Sequence, residues 1–218
     1  SRYYLLRSFL MFVPQNKYRP FIASIYLALF LILLILVKTN STIVTSFDKF
    51  VQNLLLPITN PTNTRIVEKI TYLGGPRIAA ILSIIVSLYM FIRHNFKAGI
   101  WSASTLVIGN LINVLAKNLI QRPRPSDKLV AIGGYSFPSG HTFGTALFIF
   151  FVVFLIVPQI KDVTLRRILT FLGFLWILII ALTRVYLHVH YPTDTIASIL
   201  LVLFLWESSL IIWRRISD

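Results

Sequence analysis

Two histidines in this chain have neighbours that suit chemistry on a phosphate. His141 follows a Pro-Ser-Gly turn that ends at Ser139 and Gly140, and it opens a long apolar run. A turn of this kind at a helix start offers backbone N–H groups and a hydroxyl to an anion, and the helix dipole favours negative charge there. His190 is followed four residues later by Asp194. A carboxylate at that spacing can hydrogen-bond one ring nitrogen and leave the other free to act as a nucleophile.

Three basic residues stand near these histidines at the ends of apolar segments, namely Lys117, Arg124 and Arg184. A lysine inside a membrane is costly unless it reaches the interface or meets an anion, and arginine forks match phosphate oxygens. Each cluster also has an ordinary explanation when it is taken alone. These explanations are a basic patch beside the membrane, a serine helix cap, and an exposed histidine on a polar loop. They stay open at this point.

A metal site is not expected from the acidic residues. Asp127 and Asp194 are the only carboxylates near the three clusters, which is too few for a two-magnesium centre. The chain has no cysteine, so it has no thiolate site either. His188 has no acidic residue at a matching spacing, and we interpret it as a bystander. We therefore expect no metal and no cofactor.

The composition indicates the elements that must carry these residues. Hydrophobic residues make up 56% of the 218 residues and charged residues only 13%, unlike soluble domains. This predicts an all-α, polytopic membrane protein with a single domain over residues 1–218. The net charge of +14 comes from basic residues between apolar runs. Membrane lipids and a phosphate-bearing lipid substrate are thus the expected partners, nucleic acid is not, and the oligomeric state is left unknown.

Apolar runs of membrane-spanning length predict six transmembrane helices. They cover residues 21–37, 78–92, 98–120, 141–157, 168–183 and 195–213. Residues 1–20 form a basic N-terminal segment, and residues 38–76 form the longest polar connection. Two short amphipathic helices are predicted inside that connection, near residues 43–56 and 65–73. We expect them to lie on the membrane or to fold over the mouth of the site.

An even number of spans places all three polar clusters at one membrane face, whichever way the chain is inserted. The balance of lysine and arginine favours both termini in the cytoplasm, because every loop and terminus on that side is then basic. The 38–76 loop and the clusters would then be extracytoplasmic. The expected location is a cell membrane, with the site on its outer side.

Taken together, the clusters resemble the three-part signature of the type 2 phosphatidic-acid phosphatase superfamily. The matching segments are Lys117…Arg124-Pro125, Pro138-Ser139-Gly140-His141 and Arg184…His190…Asp194. The chain resembles the bacterial membrane members, which include phosphatidylglycerophosphate and undecaprenyl-pyrophosphate phosphatases, over most of its length. The third part of the signature usually begins Ser-Arg, and here Thr183 keeps the hydroxyl.

The resemblance implies a metal-independent phosphohydrolase that works through a phosphohistidine. It implies that His190, oriented by Asp194, attacks phosphorus, while His141 protonates the leaving oxygen and then activates water. It also implies a set of phosphate-binding residues, namely Lys117, Arg124, Ser139, Gly140 and Arg184.

Undecaprenyl pyrophosphate is the first substrate expectation, because an outward site fits the recycling of a polyprenyl carrier. Arg122 and Lys128 are candidate cations for its second phosphate. Phosphatidylglycerophosphate and phosphatidate are the alternatives. A non-catalytic lipid-binding or transport protein is a further alternative, and Glu207 in the last span is the residue that hints at transport. We expect this glutamate, which lies near Arg214, to be a structural or interfacial residue instead.

Overall fold

The computed structural model describes residues 16–217, and within that range the chain forms eight α-helices and no strand. We number them in chain order as α1 Arg19–Lys38, α2 Thr42–Leu55, α3 Pro61–Leu73, α4 Pro76–Ile92, α5 Phe96–Ile120, α6 Gly140–Phe151, α7 Val163–Tyr186 and α8 Pro192–Ser217. A π-helical turn and a 3-10 turn extend α6 to Gln159. The all-α fold class is confirmed. Most of the predicted N-terminal segment, residues 1–15, lies outside the described residues.

Six stretches of the described chain are long and apolar enough to cross a membrane, which confirms the predicted number of spans. They correspond to α1, α3 with α4, α5, the extended α6, α7 and α8. A break at Gly74 and Gly75 separates α3 from α4, and Pro76 then starts α4. A Cβ at Gly74 would overlap the side chain of Ile180, so the close approach of α7 to the break requires a glycine there.

The two short helices predicted after the first span are α2 and α3. The helix α3 begins four residues before its predicted start, because Pro61 suits a first turn and the Asn60 side chain accepts a hydrogen bond from the backbone N–H of Asn63. An exposed apolar stripe runs along α2, formed by Ile43, Phe47, Phe50 and Leu54. A neighbouring face carries the buried Val44 and Asp48, and α2 packs on α8.

Aromatic side chains pack α5, the extended α6 and α8 against one another in the core of the bundle. Trp206 of α8 packs its ring against Trp101 of α5, with ring centroids 5.0 Å apart. It also lies 4.9 Å from Phe154 and 5.2 Å from Phe150 on the extended α6. Offset and edge-on aromatic pairs of this kind stabilise a core by more than the burial of their apolar area alone. The ends of α5, α6 and α8 are therefore held in a fixed relation.

Alternating helix directions bring the polar clusters to one end of the bundle, which we call the site end. The C-terminal ends of α5 and α7 and the N-terminal ends of α6 and α8 meet there. The helices α2 and α3 also lie at this end, because they connect the C-terminus of α1 with the N-terminus of α4.

Candidate active site

His190 lies in the short connection between α7 and α8, and its side chain is almost completely buried. Its Nε2 atom is 3.0 Å from Nη1 of Arg124, and its Nδ1 atom is 3.4 Å from Oδ2 of Asp194. A guanidinium can only donate hydrogen bonds, so Nε2 must accept and the ring proton must be on Nδ1. That proton faces the aspartate. The unprotonated Nε2 is the nitrogen that a nucleophilic histidine needs.

Burial also keeps this ring neutral. Removal from water lowers the pKa of His190 to about 4, Asp194 opposes that shift, and Arg124 and Arg184 add to it. A histidine with such a pKa has a free lone pair throughout the physiological pH range. The site therefore presents an uncharged imidazole beside several fixed cations.

Asp194 is fully buried in the first turn of α8, directly after Pro192 starts the helix. Its Oδ2 atom accepts the backbone N–H of Tyr191 at 2.9 Å, and its Oδ1 atom accepts Nη1 of Arg122 at 2.7 Å. These bonds use lone pairs on both oxygens and fix the plane of the carboxylate. The predicted pairing of this aspartate with His190 is thus present in the geometry.

Lys117, Arg124 and Arg184 converge on the same end of the bundle, and we call these three residues the cation clamp. Lys117 donates to the carbonyl oxygens of Tyr135 and Pro138, at 2.9 Å each. These bonds join the last turn of α5 to the loop before α6.

The two arginines of the clamp are held in different ways. Arg124 donates to the carbonyl oxygens of Gly133, Gly134 and Val189, at 3.1, 3.0 and 2.7 Å. Arg184, 2% exposed, donates from Nη1 to the Thr71 hydroxyl at 3.0 Å. Its Nε atom is buried without a hydrogen-bond partner among residues 16–217.

No carboxylate of the described residues lies within 4 Å of any member of the cation clamp. Buried positive charge is costly without a counter-ion, and the neutral carbonyl partners satisfy hydrogen bonds without cancelling charge. Three cations without a carboxylate contact, at the same end of the bundle as His190, suit an anion with several oxygens, and their binding of phosphate stays a prediction.

Residues 139–141 lie at the N-terminus of α6, facing the clamp. Ser139 caps the helix, and its hydroxyl accepts the backbone N–H of Thr142 at 3.4 Å. A Cβ at Gly140 would meet nothing within 4 Å, so open space adjoins the backbone there. His141 is close enough to His190 and to all three clamp residues to interact with them electrostatically. A direct contact from Ser139 to phosphate stays a prediction.

Comparison with known proteins decides the family. The PAP2 superfamily profile matches residues 98–217, which contain all three parts of the signature. This chain belongs to the PAP2 superfamily. It is 28% identical over 192 residues to phosphatidylglycerophosphatase B of Bacillus subtilis, covering 87% of this chain and 92% of that protein.

Solved structures agree with the PAP2 assignment. The crystal structure of the transmembrane PAP2 type phosphatidylglycerolphosphate phosphatase from Bacillus subtilis matches with a TM-score of 0.76 and 25% identity, covering 90% of this chain and 98% of that one. LpxE of Aquifex aeolicus shares the fold, with a TM-score of 0.55 and 22% identity over 74% of this chain and 93% of that one. The present chain is therefore a multi-pass membrane protein and a lipid phosphatase.

Two residues near the PAP2 site differ from their sequence-based interpretation. Arg122, a candidate for a second substrate phosphate, is instead bound by the carboxylates of Asp48 and Asp194, at 2.7 Å each. His188 was expected to lack an acidic partner, yet its Nδ1 atom lies 2.5 Å from Oδ2 of Asp127. The spacing argument failed for His188 because its partner is 61 positions away, in another loop.

Sequence reasoning also missed two supporting residues, Asp48 on α2 and Thr71 on α3. Asp48 binds Arg122, and Thr71 accepts hydrogen bonds from Arg184 and Thr183 at 3.0 Å each. One signal was available for Asp48, which is the single charged residue on the otherwise apolar buried face of an amphipathic helix. Thr71 carried no comparable signal.

Within residues 16–217, no group of three or more His, Cys, Asp or Glu side chains could hold a metal ion. Glu207 is bound by Arg19 at 2.6 Å. This ion pair joins α8 to α1. The structural or interfacial role expected for this glutamate stays a prediction.

Proposed function

We propose that this enzyme hydrolyses the phosphate monoester of phosphatidylglycerophosphate through a covalent phosphohistidine on His190. The observation that supports the chemistry most strongly is the unprotonated Nε2 of His190, which lies among three cations without carboxylate partners. The relative named phosphatidylglycerophosphatase B, which this chain matches over most of its length, supports the choice of lipid.

In the proposed first step, Nε2 of His190 attacks phosphorus and the bond from phosphorus to the lipid oxygen breaks. His141 gives its proton to that oxygen, so the lipid leaves as an alcohol. The cation clamp holds the other phosphate oxygens, where negative charge is spread in the transition state. Asp194 stabilises the positive charge that the ring of His190 acquires.

In the second step, water attacks the phosphohistidine and His141 accepts a proton from that water. Inorganic phosphate leaves and His190 returns to its neutral form, so atoms and protons balance. Arg124 must change partners during this cycle, because its Nη1 atom occupies the nucleophilic lone pair in the free enzyme. An incoming phosphate offers it two oxygens in place of one nitrogen.

Undecaprenyl pyrophosphate remains the second candidate, supported by one feature at the mouth of the site. Arg124 and Lys128 both line a pocket of about 580 Å³ between the Pro123–Pro125 segment and residues 132–135. A second phosphate in that pocket would meet Lys128, which is exposed and donates to the carbonyl of Ile132. Arg122 no longer adds to this case, because two carboxylates bind it.

We further propose that the site end faces outward from a bacterial plasma membrane. The basic residues at the opposite end, with Lys161 before α7 and Arg166 and Arg167 near its start, favour the cytoplasm. A lipid phosphate at headgroup depth could then enter from the outer leaflet with its chains still in the bilayer.

Phosphate release by the purified protein in detergent with EDTA tests this function. Phosphatidylglycerophosphate, undecaprenyl pyrophosphate and phosphatidate are compared, with His190→Ala as the matched control. The expected result is EDTA-resistant, His190-dependent release that is fastest with phosphatidylglycerophosphate. Faster release from undecaprenyl pyrophosphate would make that lipid the preferred substrate instead. Full activity in His190→Ala would reject the phosphohistidine mechanism.

A further inference from the structure

Arg122 connects the nucleophile's aspartate to a helix outside the PAP2 signature. Its Nη1 atom donates to Oδ1 of Asp194 at 2.7 Å and to the Thr193 hydroxyl at 2.8 Å. Its Nη2 atom donates to Oδ2 of Asp48 at 2.7 Å, and its guanidinium lies 3.9 Å from the ring centre of Tyr191. The guanidinium of Arg122 is therefore hydrogen-bonded through both terminal nitrogens, and one of its faces packs on the ring of Tyr191.

Asp48 binds more than the arginine. Its Oδ1 atom accepts the backbone N–H of Thr193 at 3.0 Å, and its Oδ2 atom accepts the Thr193 hydroxyl at 2.9 Å. The side chain is 2% exposed. Burial raises the pKa of Asp48 above its ordinary value, and the hydrogen bonds from Arg122 and Thr193 oppose this shift because they favour the ionised form.

We propose that Asp48 and Arg122 are positioning residues for phosphoryl transfer, which hold the Asp194 carboxylate against His190 and leave one net negative charge behind the nucleophile. This inference rests on the proposed function. Neither residue touches the reacting atoms, so both act through Asp194. The loop helix α2 thereby becomes part of the catalytic apparatus.

Charge counting explains why two carboxylates share one arginine. Arg122 alone would orient Asp194 and also neutralise it, which would weaken its interaction with the positive ring that forms when Nε2 attacks. Asp48 takes up part of the guanidinium's charge and completes its hydrogen bonds. The three groups together carry one negative charge, so Asp194 is both fixed in place and able to stabilise a cation.

The other charged or titratable groups that face His190 come from three elements. Arg124 lies in the loop before α6, Arg184 lies on α7 and His141 lies on α6. The two arginines disfavour a positive charge on the ring, and a protonated His141 would do the same. Among residues 16–217, Asp194 is the carboxylate that contacts His190, so its charge balance should set how readily the ring becomes positive.

Steady-state kinetics of Asp48→Asn, Arg122→Gln and the double variant test the positioning role. Each single variant should lower kcat by about 10- to 100-fold, as loss of an outer partner of a site ligand does, with KM changed by less than about 2-fold. KM should be nearly unchanged because neither substitution alters the cation clamp, which is proposed to bind the substrate phosphate. Asp162→Asn, which removes an exposed carboxylate at the other end of α7, is the matched control and should keep full activity.

The pKa of His190 gives a readout that a merely structural role would not move. We expect NMR of labelled histidine ring nitrogens to show a lower pKa in Asp48→Asn, which loses a negative charge. Arg122→Gln loses a positive charge, so the pKa of His190 should rise, and the double variant should return close to the wild type. Asp48→Asn carries the test alone if Arg122→Gln does not fold, because asparagine keeps the shape of the side chain.

Two results would overturn the inference. One is an unchanged pKa of His190 in Asp48→Asn, and the other is a loss of activity that lies entirely in KM. Failure of the proposed function looks different, because the wild-type enzyme would then release no phosphate from any of the three lipids. The NMR comparison does not need turnover and would still decide whether Asp48 and Arg122 act on His190.

Discussion

Arg122 and the cation clamp lie at the same end of the bundle, and their positive charges have opposite kinds of partner. Arg122 has two carboxylates at 2.7 Å, whereas the described part of the chain offers the cation clamp none within 4 Å. A buried charge with partners serves the protein's own structure, and one without them is a cost that persists where a ligand supplies the counter-ion. Partner sets, rather than residue types, therefore distinguish Arg122, the proposed positioning residue, from the residues proposed to bind phosphate.

The largest expected effect is the loss of activity when a residue of the cation clamp is replaced. Arg184→Gln should lower kcat/KM on the order of 10³-fold, as removal of an arginine finger does, because no other group fills its place on the phosphate. Phosphate release in detergent measures this loss. Arg93→Gln, in the exposed turn between α4 and α5, is the matched control. Near-normal activity in Arg184→Gln would remove the clamp from the mechanism.

The free energy of unfolding should fall more in Arg122→Gln than in Arg184→Gln. Arg122→Gln leaves two buried carboxylates without their cation, and breaking a buried ion pair in this way costs about 3–5 kcal/mol. Arg184→Gln removes a charge that had no counter-ion, so its cost should be below about 1 kcal/mol. Thermal unfolding in one detergent compares the two. Equal destabilisation by both substitutions would contradict the distinction.

His190 lies between the two groups and should make stability depend on pH. Its pKa of about 4 is below the ordinary value of 6.5, so between these pH values the unfolded chain binds a proton that the folded chain does not. The contribution is therefore fully present above about pH 6.5 and is lost as pH falls, by up to about 3 kcal/mol. Unfolding midpoints at about pH 7 and pH 4.5 measure it. His190→Gln should show a shallower pH dependence, and an identical slope would argue against a neutral buried ring.

The smallest expected effect concerns how the clamp is held. Thr71→Val keeps the shape of the side chain but removes the hydroxyl that accepts from Arg184, so KM should rise about 10-fold. Thr164→Val, at an exposed position near the start of α7, is the control. A change confined to kcat would mean that Thr71 acts on a step other than binding.

The parts of this molecule that are encoded locally could be predicted from the sequence. Apolar runs give the spans because a bilayer demands about 20 apolar residues in a row. Pro123 and Pro125 predict the end of α5, which stops at Ile120 with Gln121 as its cap. The spacing of His190 and Asp194 predicts their pairing because they are only four positions apart.

Contacts between distant segments could not be predicted in the same way. Asp48 meets Arg122 across 74 positions, and Thr71 meets Arg184 across 113. No periodicity links such pairs, since they depend on how α2 and α3 fold back over the site end. The hydrogen bonds of Arg122 could therefore be assigned only once the helices were placed.

Trapping the covalent intermediate tests the central proposal most directly. The enzyme is mixed with phosphatidylglycerophosphate carrying a radiolabelled phosphate, stopped with alkali and digested, because phosphohistidine survives alkali and is lost in acid. The predicted result is acid-labile label on the peptide that contains His190, with none in His190→Ala. Label elsewhere, or label that persists in His190→Ala, would contradict the assignment of His190 as the nucleophile.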